Sequence, residues 1–203
     1  MADISVRVIS WNMGKSIKKI SDWNKELQEW SILSNDVDIL FITVQEASST
    51  VGHEFANALK SKLGSDYTMI SDNEGTWIPF QNFHVFGYLF INKNINIINL
   101  PIDNKNNAID SVCIRKKMFG FSMCTKPSVG LGVIVSKNNK QYKLIFVGSH
   151  LPVNVKDKDN NSYGFNERIE AMKLIKKEVI DDLIKLLNGY DTIFWASHSK
   201  EKS

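Results

Sequence analysis

The chain has 203 residues, 43% of them hydrophobic and 23% charged, so it can bury a core and is not disordered. Its formal net charge of +3 permits an anionic ligand without the clustered basic stripe that nucleic acid demands. No apolar run is long enough to span a bilayer, and MADISVRVIS lacks the basic-then-apolar order of a signal peptide.

Ile4 to Trp11 alternates and predicts a strand, with Asn12 just past its end. Asn12 suits a turn, or offers an amide oxygen to a hard cation or a phosphate. Lys15 to Lys19 is a short basic stretch of the kind that forms a solvated face. Trp23, Leu27, Trp30 and Leu33 recur at helical spacing, capped by Ser21 or Asp22. Val37 to Val44 is a continuous apolar run and predicts a strand buried on both faces. It ends at Gln45 and Glu46. A carboxylate after a buried strand is costly unless it is solvated, paired or bound to a metal; it also suits a cap for the next helix. That helix is expected from Ser48, burying Val51, Phe55, Leu59 and Leu63 and stopping at Gly64.

Tyr67 to Ile70 reads as a short strand and Ser71 to Asn82 as a loop holding Trp77 and Pro79. His84 to Asn92 and Ile95 to Leu100 read as a hairpin turning at Asn92–Asn94. Asp103 to Asn107 is a polar loop. Ser111 to Phe119 is an exposed strand whose Arg115, Lys116 and Lys117 either protect an edge or form a positive wall. Cys113 and Cys124 lack metal-type spacing and allow one disulfide at most, which fits a reducing cytosolic compartment.

Thr125 to Val135 begins as a turn and becomes a strand. Lys137 to Lys140 turns it into Leu144–Val147, which delivers Gly148, Ser149 and His150 to a sheet rim before Pro152. Alone, His150 reads as a core or edge histidine. Asn154 to Phe165 is a charged loop. Asn166 to Leu187 is the longest helix, with Ile169, Met172, Ile175, Val179, Leu183 and Leu186 inward and Gly189 as its stop. Asp191 to Ala196 is a last apolar strand, followed by SHSKEKS. Strands with inserted helices and polar groups at strand ends predict a layered α+β or α/β domain.

The pieces ISWNMG, FITVQE, GSHLP, NERIEAM and DTIFWA, in this order, resemble the endonuclease/exonuclease/phosphatase superfamily, and within it the inositol polyphosphate 5-phosphatase branch. The resemblance implies an α+β fold, the four-layer αββα sandwich of the DNase I-like kind, and Mg²⁺-dependent hydrolysis of a phosphoester. By motif position Glu46 would be a metal ligand and Asn12 would hold metal or phosphate. His150 would contact the phosphate or assist the leaving oxygen. Arg168 and Lys126 would balance substrate charge. Mg²⁺ takes oxygen ligands and keeps its waters, which suits one carboxylate.

The chain departs from the pattern after Trp195. Where the family has Gly-Asp-x-Asn, Ser197, His198, Ser199 and Lys200 stand here. His198 is either a replacement base or a solvated residue of a polar tail. Val129–Gly132 lacks the family's Asn-Lys-Gly order, and the later Asp and His are missing before Ser203. The expectation is therefore one incomplete domain over residues 1–203, lacking its C-terminal strands. Its expected partners are a phosphorylated small molecule or phosphoinositide headgroup, with peripheral membrane contact, and a chain completing the sheet. The expected compartment is the cytoplasm. The alternative is a truncated, catalytically inactive relative, either a module that binds through its exposed sheet or a non-functional remnant. A nuclease of the same superfamily is weighed against by the small positive charge.

Overall fold

The computed structural model describes residues 4–14, 25, 27, 37–75, 83–98, 108–118, 121–151, 155–156, 162–163 and 165–198. Several sequence expectations lie outside the described residues: the stripe residues Trp23, Trp30 and Leu33, the basic run Lys15–Lys19, Trp77 and Pro79, Asp103–Asn107, Pro152, and the tail from Ser199. So do the side chains of Cys113, Arg115, Lys116, Lys117 and Cys124.

Two sheets face each other. The first has the order β1 (Val6–Asn12), β2 (Ile39–Ala47), β4 (His84–Asn92), β3 (Tyr67–Gly75). β1 and β2 are parallel and the other pairs antiparallel. The second has the order β11 (Thr192–His198), β8 (Lys140–His150), β7 (Phe121–Lys137). On the far side of β7, β6 (Ala108–Met118) pairs with its first part and β5 (Asn96–Ile98) with its last. β9 (Val155–Lys156) and β10 (Ser162–Tyr163) form a small separate ribbon.

Residue alternation explains the layering. On β2, residues 39–44 have no exposed surface. Leu40, Ile42 and Val44 face outward and pack with Phe86, Tyr88 and Phe90 against helix α1 (Ser49–Leu63), through Val51, Phe55, Leu59 and Leu63. Ile39 and Phe41 face inward and meet Leu131, Val133, Leu144 and Phe146 of the second sheet. The outer face of that sheet, with Ile145 and Val147, is covered by Ile175, Val179 and Leu183. These lie on a helical rod made of α2 (Phe165–Ile175), a π-helical turn at Lys176–Ile180, and α3 (Asp181–Leu187). The result is the expected four-layer αββα sandwich. Among the described residues, no helix is long and apolar enough to cross a membrane.

The α1 boundaries are as expected: the Ser48 hydroxyl accepts from Val51 N, and Gly64 ends the helix at φ +70°. Five expectations need correction, the first being the expected loop Asn154–Phe165, which holds the β9–β10 ribbon. Ser71–Gly75 is not loop but a continuation of β3, paired with Tyr88 through His84. The turn at Asn92–Asn94 does not make a hairpin, because β5 crosses to the second sheet and pairs with β7. Thr125 does not sit in a turn; β7 is continuous from Phe121, with a register shift opposite Ile114/Arg115. Finally, Met172 is 40% exposed, and Ile169 and Leu186 are half-buried. The π-helical turn adds a residue to the winding, so one 3.6-residue stripe cannot describe both halves of the rod.

One end of the sandwich is pinned by charge. Asp38 Oδ2 accepts from Ser5 N (2.8 Å), Ser5 Oγ (3.0 Å) and Lys137 Nζ (2.8 Å), joining the starts of β1 and β2 to the end of β7. Burial pulls the Asp38 carboxyl upward, but the Lys137 and Ser5 hydrogen bonds outweigh it, leaving it below its ordinary 3.8. A depressed carboxyl stabilises the fold fully above the unfolded value. That contribution is lost as pH falls through the lower folded value. Asp38→Asn is expected to cost about 1 kcal/mol at pH 7, with the gap to the parent closing below pH 3.8. Urea melts of both proteins across that range check it.

Candidate active site

The strand ends opposite the Asp38 clamp carry the polar residues. β1 and β2 run in parallel register, so Asn12 pairs with Gln45 and stands beside Glu46. Met13 N donates to Gln45 O (2.9 Å) and Gly14 N donates to Asn12 Oδ1 (2.8 Å), which folds the chain over the end of β1. Gly14 sits at φ +60°. With its oxygen held, Asn12 turns its amide Nδ2 to Glu46 Oε1, 3.0 Å away.

Glu46 stands at φ +58°, the left-handed region that disfavours any residue with a Cβ. It lies in the irregularity between Val44 and Ala47, where the β2–β4 register slips. A bulge of this kind re-aims a side chain. Here it leaves the carboxylate at the rim with 17% of its side chain exposed. Glu46 does not cap α1; Ser48 does. The left-handed backbone gives a test. Glu46→Gly is expected to be more stable than Glu46→Ala by about 1 kcal/mol, measured by chemical denaturation, although glycine ordinarily costs stability in a strand.

From the second sheet, β7 and β8 bring Lys126 and His150. Lys126 Nζ is 2.9 Å from His150 Nε2, and the same ring nitrogen is 3.5 Å from Glu46 Oε1. Nε2 either accepts from the ammonium or, when protonated, faces the carboxylate. Four expected site residues, Asn12, Glu46, Lys126 and His150, therefore meet where the two sheets face each other. The fifth, Arg168, stands on a different layer, half-buried in the first turn of α2.

Buried polar residues stand on the strands beneath them, Thr43 on the face between the sheets and Ser149 on the outer face. Thr43, Gln45, Ser128 and Ser149 are fully buried. Gln45 Nε2 reaches Ser10 Oγ (3.2 Å) and Thr43 Oγ1 (3.3 Å), and Ser128 Oγ donates to Gly148 O (3.0 Å). Gly148 lies directly against Thr43 of the opposite sheet. On the outer face Trp195 Nε1 donates to Ser149 Oγ (2.8 Å), tying β11 to β8 next to His150.

Sequence reasoning missed two of these features. The Trp195–Ser149 bond needs the β8–β11 pairing, which no local pattern announces. His84, opposite Ala47 and so next to Glu46 in the sheet, holds its Nδ1 2.9 Å from Asn73 Oδ1. Burial lowers its pKa below 6.5, with nearby Glu74 opposing and His53 assisting. Its position as first residue of an apolar strand was the available signal.

Among the described residues, no group of three or more His, Cys, Asp or Glu side chains is placed to hold a metal ion. The Glu46 carboxylate is an oxygen donor, and Asn12 Oδ1, which accepts from Gly14 N, has a second lone pair; a lone carboxylate fits a hard cation that keeps most of its waters rather than one held in an all-protein cage.

No family model matches the chain, and no curated protein sequence matches it. Solved structures do. An endonuclease/exonuclease/phosphatase family protein from Bacteroides thetaiotaomicron matches at 13% identity and a TM-score of 0.50, over 96% of this chain and 61% of its own. A mannosyl-6-phosphatase of the same organism matches at 13% identity and 0.50, over 96% and 64%. The human Nocturnin catalytic domain with bound sulfate matches at 18% and 0.50, over 96% and 63%. The likeness establishes a DNase I-like fold, and the chain spans less than two thirds of each of these structures.

Proposed function

We propose that the chain is built as a Mg²⁺-dependent phosphoester hydrolase, acting on an inositol phosphate or phosphoinositide headgroup. One observation carries the reading: on one sheet rim the Glu46 carboxylate, held by Asn12 Nδ2, faces a nitrogen pair, Lys126 and His150, on the other. Glu46 and Asn12 would hold the cation, which when bound polarises the phosphoryl oxygens and offsets charge developing on them. Lys126 would leave the His150 ring to donate to a phosphate oxygen. His150, freed at Nε2, would contact the phosphate or give a proton to the leaving oxygen. Arg168 would add positive charge from α2. The phosphatase and sulfate-bound domain among the structural matches support the class of ligand. The test is phosphate release from inositol polyphosphates and short-chain phosphoinositides, with Mg²⁺ or EDTA. The reading fails if the chain releases no more than its Glu46→Gln and His150→Ala variants.

A second reading rests on a different observation. β11 stands at the end of its sheet. Beside it Ile169, Met172, Ile184, Tyr190, Ile193 and Trp195 line an apolar groove of about 530 Å³, with Tyr190 50% exposed. A non-catalytic relative would use this edge to take a partner chain that completes the sheet. Sedimentation velocity over a hundredfold concentration range separates the two, since a strictly monomeric, cooperatively melting chain speaks against the second.

A further inference from the structure

On the hydrolase reading above, on which this rests, we propose that Gln45 is a positioning residue of the cation site. Its buried amide oxygen accepts a hydrogen bond from a water in the shell of the ion that Glu46 holds.

An acceptor that lacks a donor points to this role. Gln45 has no exposed surface. Its Nε2 donates to Ser10 Oγ (3.2 Å) and Thr43 Oγ1 (3.3 Å). Among the described residues, its Oε1 has no hydrogen-bond partner. A buried carbonyl in that state is costly, and few native polar groups are left so.

Register fixes where the oxygen points. β1 and β2 pair Ser10 with Thr43 and Asn12 with Gln45, and in-register neighbours share a sheet face. Ile39 and Phe41 belong to the core between the sheets, whereas Leu40, Ile42 and Val44 belong to the core under α1. Thr43 continues the first series and lies against Gly148 of the second sheet. Gln45 is the next member of that series, one step nearer the rim. Ser10 and Thr43 both stand one step behind it. With Nε2 turned back to them, Oε1 points away from the core, toward the rim. A regular strand would send residue 46 to the opposite face. The bulge and the left-handed backbone at Glu46 bring its carboxylate to the same side, 3.0 Å from Asn12 Nδ2 and 3.5 Å from His150 Nε2.

The chemistry follows from the residue type. A carbonyl oxygen can only accept. A hard cation that keeps its waters surrounds itself with O–H donors, and each of them needs an acceptor. Glu46 supplies the charge, and Gln45 supplies a neutral acceptor beside it. A second carboxylate at position 45 would bury an unpaired charge whenever the ion is absent, a cost that an amide avoids. Partners of this kind orient what the ion binds and tune its affinity.

The experiment is titration of Mn²⁺, which takes the same oxygen donors as Mg²⁺, with the free ion counted by electron paramagnetic resonance. The proteins are the parent chain, Gln45→Met, Gln45→Glu and Glu46→Gln, each also melted in EDTA. Gln45→Met is expected to bind Mn²⁺ about tenfold more weakly. It should melt no earlier than the parent, because it removes an unmet acceptor with little change of shape. Should Gln45→Met melt early, Gln45→Glu carries the comparison. That variant keeps an acceptor in place and adds charge, so it is expected to bind Mn²⁺ at least as tightly as the parent while melting earlier in EDTA. Parent-like Mn²⁺ binding by Gln45→Met, or weaker binding by Gln45→Glu, overturns the inference; if Glu46→Gln still weakens binding, the hydrolase site stands. Parent-like Mn²⁺ binding by Gln45→Met with weakened binding of inorganic phosphate in EDTA also overturns it, since the amide would then be turned round to donate to an anion. If the parent binds no Mn²⁺, or Glu46→Gln binds it as the parent does, the hydrolase reading falls as well.

Discussion

On the proposed hydrolase reading, Glu46→Gln is expected to lower Mg²⁺-supported phosphate release about a thousandfold, a loss of about 4 kcal/mol of transition-state stabilisation. Glutamine keeps the shape of glutamate and can still accept from Asn12 Nδ2 through its carbonyl oxygen. It cannot hold a dication by charge. The backbone at φ +58° is equally strained with either side chain, so the fold should be unaffected. Raising Mg²⁺ should recover part of the rate if the loss is in cation affinity. The measurement is initial rate against Mg²⁺ for parent and variant, with a melting curve for each. A variant that keeps more than a tenth of the parent rate at every Mg²⁺ concentration, with no shift in its Mg²⁺ dependence, would remove Glu46 from the reaction.

Gly148→Ala is expected to cost about 3 kcal/mol. A Cβ at Gly148 would lie 2.2 Å from Thr43 Oγ1 and 2.8 Å from Thr43 Cβ. Thr43 is fully buried on the central strand of the opposite sheet, so neither partner can step aside. The two sheets would have to separate just below Glu46 and His150. Activity should therefore fall along with stability. Thr43→Ala removes the hydroxyl that obstructs most closely while keeping Cβ, and the double variant should be more stable than the sum of the two single effects by at least about 1 kcal/mol. Denaturant melts of the four proteins in that cycle test whether the sheets meet here.

The elements themselves were legible because each carries its own period. Val37–Val44 announces a strand buried on two faces. Ser48 and Gly64 bracket α1, and the Lys137–Lys140 turn joins β7 to β8. Asn12, Glu46 and His150 could be picked out because each ends an apolar strand, where a polar side chain is conspicuous. Lys126 needed the family pattern. What stayed hidden is which strand neighbours which. Alternation states that Ile95–Leu100 has a buried face, but β5 finds that face across the sandwich on β7 rather than beside β4. Likewise Ser71–Gly75 is polar enough to read as loop, yet pairs residue for residue with β4. The left-handed Glu46 and the π-helical turn at Lys176–Ile180 leave no mark in residue type, since each is imposed by packing that spans distant parts of the chain. The Asp38 clamp was missed for the same reason: Lys137 is 99 positions away.

That clamp has a bearing on how variants of this chain should be scored. It holds the sandwich together at one end, while at the other the contact across the sheets runs from Glu46 through His150 to Lys126, the very groups a ligand would claim. A bound anion would then act as the missing rivet of the open end. Saturation at a hundred times the dissociation constant would add about 2.7 kcal/mol to the folded state. Screens that select for thermal endurance in plain buffer would reward changes that glue the rims shut, and would discard chains whose cohesion is completed by their own cargo.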